Sequence, residues 1–408
     1  MTADSGFVVI GAGQAGGRAV EAMRKAGFAG RIVLVGEEPH VPYERPPLSK
    51  QLLSGDDGPE TTYLRDRGFY REQDIDLRLG ARASAIDPSA RRVLLADGDE
   101  LAYDKLLITT GSRVRRLAIS GAELPGVFYL RDIEDALAIR ARLAEGAALA
   151  VVGGGYIGLE VAAAARSRGC RVTVLEMEPT VMNRVVAPEV GRFFADVHAA
   201  QGAEVRTGTT VSGFAGDRRV DEVVCSDGTR LTVDLVVIGV GVMPDTALAE
   251  AAGLAVDDGI VVDEFGRTSD PEIFAAGDVA RHYNPLLGRQ IRLESWQNAQ
   301  NQAIAVARVM CGSNVAYAEV PWFWSDQYDL NLQMTGVADR WDQIVYRGDM
   351  EDRRFTAFYL LDGVLVAANS VNLPRDVRYA RKLIESGARV DRDALADPAV
   401  PLKTLLEA

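Results

Sequence analysis

Two glycine fingerprints, 142 residues apart, constrain this chain more than any other feature of its sequence. The first, Gly11-Ala12-Gly13-Gln14-Ala15-Gly16, directly follows the apolar run Phe7-Val8-Val9-Ile10. The second, Gly153-Gly154-Gly155-Tyr156-Ile157-Gly158, directly follows Leu149-Ala150-Val151-Val152. Each apolar run reads as a strand buried on both faces, and each glycine run as the turn that opens a helix. Such glycines permit a tight turn and let the backbone approach a pyrophosphate, which then rests on the helix N-terminus. Each unit runs on to a second strand that ends in an acid able to accept hydrogen bonds from ribose hydroxyls. Arg31 to Gly36 leads to Glu37, 26 residues past Gly11, and Arg171 to Leu175 leads to Glu176, 23 residues past Gly153. One such fingerprint is weak evidence; two, each with strand, helix, second strand and acid in order, are strong. Two dinucleotide sites in one chain imply that electrons pass from one dinucleotide to the other.

A length of 408 residues predicts two or three domains, and 48% hydrophobic with 25% charged residues is ordinary for a globular protein. The net charge of −13 argues against general nucleic-acid binding. No apolar run approaches the roughly 20 residues needed to span a bilayer, so no membrane partner is expected. The first strand starts at Phe7, which is expected to leave no room for a signal peptide. Cys170, Cys225 and Cys311 lie far apart and form no CxxC or CxxxxC. That pattern predicts a cytoplasmic location and neither a metal centre nor a dithiol.

The fold class expected is α/β: two Rossmann-like doubly wound dinucleotide-binding domains plus a C-terminal α+β domain. Glu100 to Gly111 reads as a strand ending in a glycine turn, and Asp234 to Gly241 repeats that pattern at the end of the second unit. Gly259 to Asp263 reads as a short strand, Ile273 to Val279 as an apolar stretch reaching Gly277-Asp278, and Gln297 to Cys311 as a helix. In the tail, Gln343 to Gly348, Arg354 to Gly363 and Val364 to Val371 read as strands, with Asp362-Gly363 as a hairpin signal. Two short helices are expected after them, over 376–386 and 402–407. The expected domain limits are 1–111 with 245–320 for the first domain, 112–244 for the second and 321–408 for the third.

The order of motifs resembles the two-dinucleotide flavoprotein superfamily with the glutathione reductase fold. Within it, the chain most resembles the FAD-dependent NADH:ferredoxin reductases, the putidaredoxin reductase-like and dioxygenase reductase-component-like branch. The resemblance runs through Gly11 to Gly16, Arg45-Pro46-Pro47-Leu48-Ser49-Lys50, Thr109-Thr110-Gly111, Gly153 to Glu160, Ala275 to Asp278, Pro321-Trp322-Phe323-Trp324-Ser325-Asp326 and Pro401-Leu402-Lys403. The Arg-Pro-Pro-Leu-Ser-Lys and Pro-Trp-Phe-Trp-Ser-Asp runs are specific to that branch; the glycine motifs are not. The resemblance implies FAD on the first unit and NADH on the second.

It also implies roles for particular residues. Gly11, Gly13, Ala15 and Gly16 would hold the FAD pyrophosphate, and Glu37 the adenosine ribose; the alternative for Glu37-Glu38 is a solvated acidic pair. Asp278 would bind the ribityl and pyrophosphate region, with a helix N-cap as the alternative. Thr110, Gly111, Arg131, Ala83 and Trp296 occupy positions that line the FAD site in relatives, and Arg45 would touch the flavin or its phosphates. Pro46 and Pro47 stiffen the segment that carries Lys50. Lys50 would lie near the flavin and pair with Glu160. Gly153, Gly155, Gly158 and Gly241 would border the NADH, with Tyr156 and Ile157 facing the cofactors. Glu176 would accept from a free ribose 2′-hydroxyl and repel a 2′-phosphate, and Arg184 would lie over the adenine or moderate that repulsion. Trp322 and Trp324 alternate on one face of a strand. Trp324 would come nearer the flavin, with packing in the small domain as the alternative for either. The residues expected to carry the chemistry are Lys50, Glu160, Tyr156 and Trp324.

Disulfide reductases of this superfamily carry a redox thiol near position 40 or a CxxxxC, and a histidine acid–base near the C-terminus. Here Glu37 to Arg45 holds no cysteine, and the histidines are His40, His198 and His282. Electrons would therefore leave from the flavin edge. The implied activity is hydride uptake from NADH and single-electron transfer to a 2Fe–2S ferredoxin feeding a monooxygenase or dioxygenase. The ferredoxin dock is expected to use local basic residues, Arg65 and Arg308 among them, and the chain to be a monomer or weak dimer. The alternatives are an NADH:quinone-type oxidoreductase and an apoptosis-inducing-factor-like flavoprotein.

Overall fold

The computed structural model describes residues 6–406. The chain divides into two compact units. The first comprises the chain through Arg45, Glu60–Arg113 and Met243–Pro321; the second comprises Pro46–Pro59, Val114–Val242 and the chain from Trp322 onward.

The first unit is built on a five-stranded parallel sheet in the order Ile273–Ala275, Lys105–Ile108, Phe7–Ile10, Ile32–Gly36, Ile75–Leu79. Phe7 pairs with Ile32 on one side and Lys105 on the other. Successive residues of the central strand feed opposite cores, as strand pleating requires. Phe7 and Val9 pack with Ala19, Met23, Ala303 and Ala307 from the helices Gln14–Lys25 and Trp296–Met310. Val8 and Ile10 pack with Ala83, Val93, Leu95 and Leu101. Those last residues belong to a three-stranded antiparallel sheet, Ala83–Asp87, Arg92–Leu95 and Glu100–Ala102. One face of the parallel sheet thus carries helices and the other carries a β-meander.

The meander corrects the reading of Glu100 to Gly111 as one strand. Glu100–Ala102 pairs antiparallel with Arg92–Leu95, and only Lys105–Ile108 joins the parallel sheet. Tyr103-Asp104 breaks the run: Tyr103 N–H donates to Arg91 and Asp104 N–H to Gly6, so the chain changes partner between them.

The second unit repeats the plan, with the order Glu204–Arg206, Arg171–Leu175, Ala148–Val152, Leu235–Ile238, Val127–Tyr129. A second antiparallel meander, Val211–Ala215, Glu222–Cys225 and Arg230–Thr232, covers one face through Phe214, Val223 and Cys225. The same unit contains the tail, a five-stranded antiparallel sheet in the order Trp322–Gln327, Leu330–Gly336, Val364–Val371, Arg354–Leu361, Gln343–Asp349. Helix Pro374–Ser386 lays Ala380 and Leu383 on Phe358, Leu365 and Ala368 of that sheet. The Asp362-Gly363 hairpin forms with both residues at positive φ, 52° and 79°, the backbone a two-residue type I′ turn requires. The stretch expected as a helix over 402–407 is a 3-10 turn over Leu402–Leu406; Glu407 lies outside the described residues. Helix Pro188–Ala200 and strand Leu330–Gly336 are elements that the sequence reading missed.

Candidate functional site

Each glycine loop links the first strand of its sheet to the first helix, and the glycines divide by task. A side chain at Gly11 would place its Cβ 2.2 Å from the Thr109 carbonyl oxygen, and one at Gly16 would lie 1.9 Å from the Gly11 carbonyl. Those two glycines exist because backbone packs on backbone. A Cβ at Gly13 would meet nothing within 4 Å. The second loop matches it: Gly153 would meet the Gly239 carbonyl at 2.4 Å, Gly158 the Gly153 carbonyl at 2.1 Å, and Gly155 nothing. The middle glycine of each loop therefore faces open space at a helix N-terminus, where free N–H groups and the helix dipole favour an anion. In the first loop the Gln14 side chain is 8% exposed, yet its buried amide oxygen and nitrogen have no hydrogen-bond partner among the described residues. Open space at the middle glycine, beside a helix N-terminus, fits the phosphates of a bound dinucleotide.

The rest of the first unit's candidates gather around that loop and its sheet. Glu37 ends strand Ile32–Gly36 with its side chain 72% exposed. Glu38 is occupied, accepting from Tyr43 at 2.6 Å and from Arg45 at 2.7 Å. The acidic pair therefore splits into one accessible carboxylate and one locked one. Arg45 is held by Glu38 and by the Tyr43 hydroxyl at 2.9 Å. Thr109 Oγ1 donates to the carbonyls of Ile10 and Gly11, and Thr110 Oγ1 to Asp245. Gly111 takes φ 68°. Gly277, at φ 83°, brings its Cα side against Ala15 of the glycine loop, where a Cβ would sit 3.1 Å from the Ala15 methyl. Asp278 accepts from Ser112 Oγ at 3.2 Å. The helix-cap alternative for Asp278 fails, because the next element is strand Ala280–Asn284. Ala83 is buried in the core, so only its backbone could face a ligand. Trp296 opens helix Trp296–Met310.

In the second unit, Glu176 is clamped. Its Oε2 accepts from the N–H of Gly154 at 2.6 Å and its Oε1 from the N–H of Glu178 at 2.8 Å. Met177, the next residue, is 65% exposed and Ile157 is 43% exposed. Two exposed apolar side chains beside a nucleotide loop suit the face of a planar base. Arg184 is exposed, with a guanidinium nitrogen 3.6 Å from where a Cβ on Gly241 would lie. Arg131 precedes helix Ile133–Arg140 and donates its N–H to Asp135, which completes a capping box with Asp132.

The most concentrated chemistry in this unit surrounds Glu160, on helix Tyr156–Ser167. Lys50 Nζ lies 2.8 Å from Glu160 Oε2, with side chains 12% and 4% exposed. Ser49 Oγ donates to Oε2 at 2.5 Å and Ser325 Oγ to Oε1 at 2.6 Å. Lys50 also reaches the Trp324 ring, 5.8 Å from its centroid, within cation–π range. Trp322 and Trp324 stack at 5.2 Å and 18°, on one face of their strand. Tyr156 packs on Phe323, with ring centroids 4.6 Å apart, and its hydroxyl touches the Met334 sulfur at 2.9 Å. Burial, above all, raises the Tyr156 phenol well above its usual value, with smaller contributions from Tyr359 and Glu160, so it stays protonated. Sequence reasoning supplied Lys50, Glu160 and Trp324. It missed Ser49 and Ser325, although both sit inside the two runs it singled out.

The cysteines offer no comparable site. Burial raises the thiol pKa values of Cys170, Cys225 and Cys311, which disfavours the reactive thiolate. Among the described residues, no helix is long and apolar enough to cross a membrane, and no cluster of three or more His, Cys, Asp or Glu could hold a metal ion.

Comparison with known proteins places this geometry. Residues 6–303 match the pyridine nucleotide-disulphide oxidoreductase family and residues 322–406 the reductase C-terminal family. The chain is 47% identical, over all of both proteins, to the ferredoxin–NAD(+) reductase component of the anthranilate 1,2-dioxygenase system of Burkholderia cepacia. It is 41% identical to putidaredoxin reductase of Pseudomonas putida, covering 100% of this chain and 98% of that protein. Among solved structures, the covalent putidaredoxin reductase–putidaredoxin complex superposes with a TM-score of 0.96 at 40% identity, over 99% of this chain and 98% of that one.

Proposed function

Because the chain belongs to the pyridine nucleotide-disulphide oxidoreductase family, we propose that it is an FAD-containing reductase that oxidises NADH and reduces a 2Fe–2S ferredoxin serving an oxygenase. The observation that carries this reading is the paired glycine loops, each with its middle glycine open at a helix N-terminus. The named relatives support the ferredoxin as acceptor. Bound FAD supplies hydride acceptance and one-electron release.

The chain's own residues then have separable tasks. Gly11, Gly13, Ala15, Gly16 and Asp278 would hold the FAD diphosphate and ribityl chain, and Glu37 the ribose, with Thr110, Gly111, Arg45, Ala83, Arg131 and Trp296 around them. Gly153, Gly155, Gly158, Glu176, Arg184, Ile157 and Gly241 would hold NADH. Lys50, paired with Glu160, would supply a cation toward negative charge on a bound flavin. Trp324 and Tyr156 would close the site against water. The domains following from this are 1–111 with 245–320 for FAD, 112–244 for NADH and 321–408 for the third, α+β domain. The raised thiols of Cys170, Cys225 and Cys311 favour an exit from the flavin over a thiol exit.

The test is a reconstituted chain. The purified protein should be yellow, release about one FAD per chain on denaturation, and pass electrons from NADH to an added 2Fe–2S ferredoxin far faster than to the oxidised disulfides of small thiols. A colourless protein that cannot take up FAD would remove the reading altogether.

A further inference from the structure

The donors on Glu160 do not end at Ser325. Ser325, Gln327 and His198 are 0%, 1% and 0% exposed. Gln327 Nε2 donates to Ser325 Oγ at 3.1 Å. His198 Nε2 lies 3.0 Å from Gln327 Oε1, and the Tyr328 hydroxyl lies 3.2 Å from His198 Nδ1. Strand pleating explains how one segment does this: Trp322 and Trp324 stack on one side of strand Trp322–Gln327, while Ser325 and Gln327 share the other. Helix Pro188–Ala200 delivers His198.

The charge on Glu160 dictates the direction of every bond in this chain. An ionised carboxylate only accepts, so the Ser325 hydroxyl proton points at Glu160 Oε1. Ser325 Oγ is left to accept, and the Gln327 amide nitrogen therefore faces it. The Gln327 amide oxygen must then face His198 and can only accept, so His198 carries its proton on Nε2. Nδ1 becomes the acceptor of the Tyr328 hydroxyl. Burial lowers the His198 pKa, against a smaller opposing contribution from the Gln327 hydrogen bond. The ring is thus neutral, and a neutral ring has a tautomer to choose.

We propose that His198 is a positioning residue for Glu160, acting through Gln327 and Ser325 so that the carboxylate is held toward Ser49 and Lys50 in a single orientation. A fully satisfied buried network of this kind rigidifies its members, whereas a broken one strands a donor or acceptor. The role given to the network rests on the reading of Lys50 and Glu160 proposed above. The network itself does not.

The experiment has two arms. The chain contains three histidines, so nitrogen-15 NMR of histidine-labelled protein, carrying FAD where the chain takes it up, resolves each ring. His198 should be a single Nε2–H tautomer. In Ser325→Ala or Glu160→Gln the demand of the carboxylate is lost, the Gln327 amide can turn, and both tautomers should appear. In the second arm, the rate at which NADH bleaches the flavin should fall several-fold in His198→Leu and in Ser325→Ala. The double variant should be no slower than Ser325→Ala alone. His198→Gln, whose amide nitrogen can replace Nε2–H, should recover most of the His198→Leu loss. An Nδ1–H tautomer in the parent protein, a tautomer unmoved by Ser325→Ala, or losses that multiply in the double variant would each overturn the proposal. A chain that takes up no FAD would overturn the function proposed above, while the tautomer arm, read on the same protein, would still decide this inference.

Discussion

The backbone N–H of Gly154 donates to Glu176 Oε2 at 2.6 Å, so the second glycine loop and the acid that follows the next strand hold each other in place. With its other oxygen bound by the N–H of Glu178, the carboxylate has little freedom to turn away from a ligand. The chain should therefore prefer NADH to NADPH, because a 2′-phosphate would meet a fixed negative charge. Glu176→Ala should narrow the ratio of kcat/KM values by an amount equivalent to about 1–3 kcal/mol, and should also lower the thermal midpoint because two N–H groups lose their acceptor. Equal use of both nucleotides by the parent protein would show that Arg184 outweighs Glu176.

Glycines within one fingerprint should respond differently to the same methyl group. Gly155→Ala adds a Cβ into open space, so the variant should fold with nearly parental stability and lose affinity for the nucleotide. Gly158→Ala drives a Cβ to 2.1 Å from the Gly153 carbonyl, so the loop itself must shift and the thermal midpoint should fall. Gly13→Ala and Gly16→Ala should repeat the contrast in the first loop. Parallel melting curves and nucleotide titrations would check it; equal effects on stability within a pair would count against the division of labour.

His282 predicts an acid limb in stability. Its ring is 1% exposed, neither nitrogen has a hydrogen-bond partner among the described residues, and burial lowers its pKa to about 4. The unfolded chain binds a proton at this ring below its ordinary value of about 6.5, whereas the folded chain binds it only near 4. Between those values the unfolded state carries more protons, so stability is full above about pH 6.5 and falls as pH drops toward 4. The contribution is up to about 3 kcal/mol. Denaturant melts of the parent protein and His282→Phe between pH 7 and pH 4 should show a shallower decline in the variant.

Conversion of Cys170, Cys225 and Cys311 to serine should leave NADH-driven reduction of acceptors intact in folded, FAD-loaded protein. All three are free and their thiols are raised by burial. The expected loss is in stability, roughly 1 kcal/mol for each newly buried hydroxyl. Abolished turnover in a folded variant would restore a thiol route.

The acceptor surface is best tested at Arg308. It is exposed at the end of helix Trp296–Met310, whereas Arg65 is paired at 3.0 Å with Glu21, whose side chain is 9% exposed. Reversing Arg65 would set two negative charges together and confuse stability with docking. Arg308→Glu should raise the ferredoxin KM and leave flavin reduction by NADH unchanged. Ferredoxin reduction should also fall steeply with salt, while ferricyanide reduction changes much less. A ferredoxin rate indifferent to salt would mean an apolar dock.

The sequence by itself determined the two parallel sheets, their glycine loops and the acids at Glu37 and Glu176, because those features are local. A strand buried on both faces is a continuous apolar run, and a loop that admits phosphate needs glycine at fixed spacing. It likewise determined the Asp362-Gly363 hairpin, since positive φ at two successive residues leaves few choices of residue. The meanders over each sheet escaped it, because short strands carry weak periodicity. Helix Pro188–Ala200 did carry a legible signal, with Val190, Phe194 and Val197 on one buried face behind an N-terminal proline. Tertiary structure alone decided which of two adjacent acids is accessible: Glu38 is consumed by Tyr43 and Arg45, and Glu37 is not. It also decided that Ser49 and Ser325 meet on Glu160, with Gln327 and then His198 behind Ser325. Apart from Ser325 and Gln327, the residues that bond to one another here lie more than a hundred positions apart, and a hydrogen bond between distant side chains leaves no period or spacing for a sequence to display.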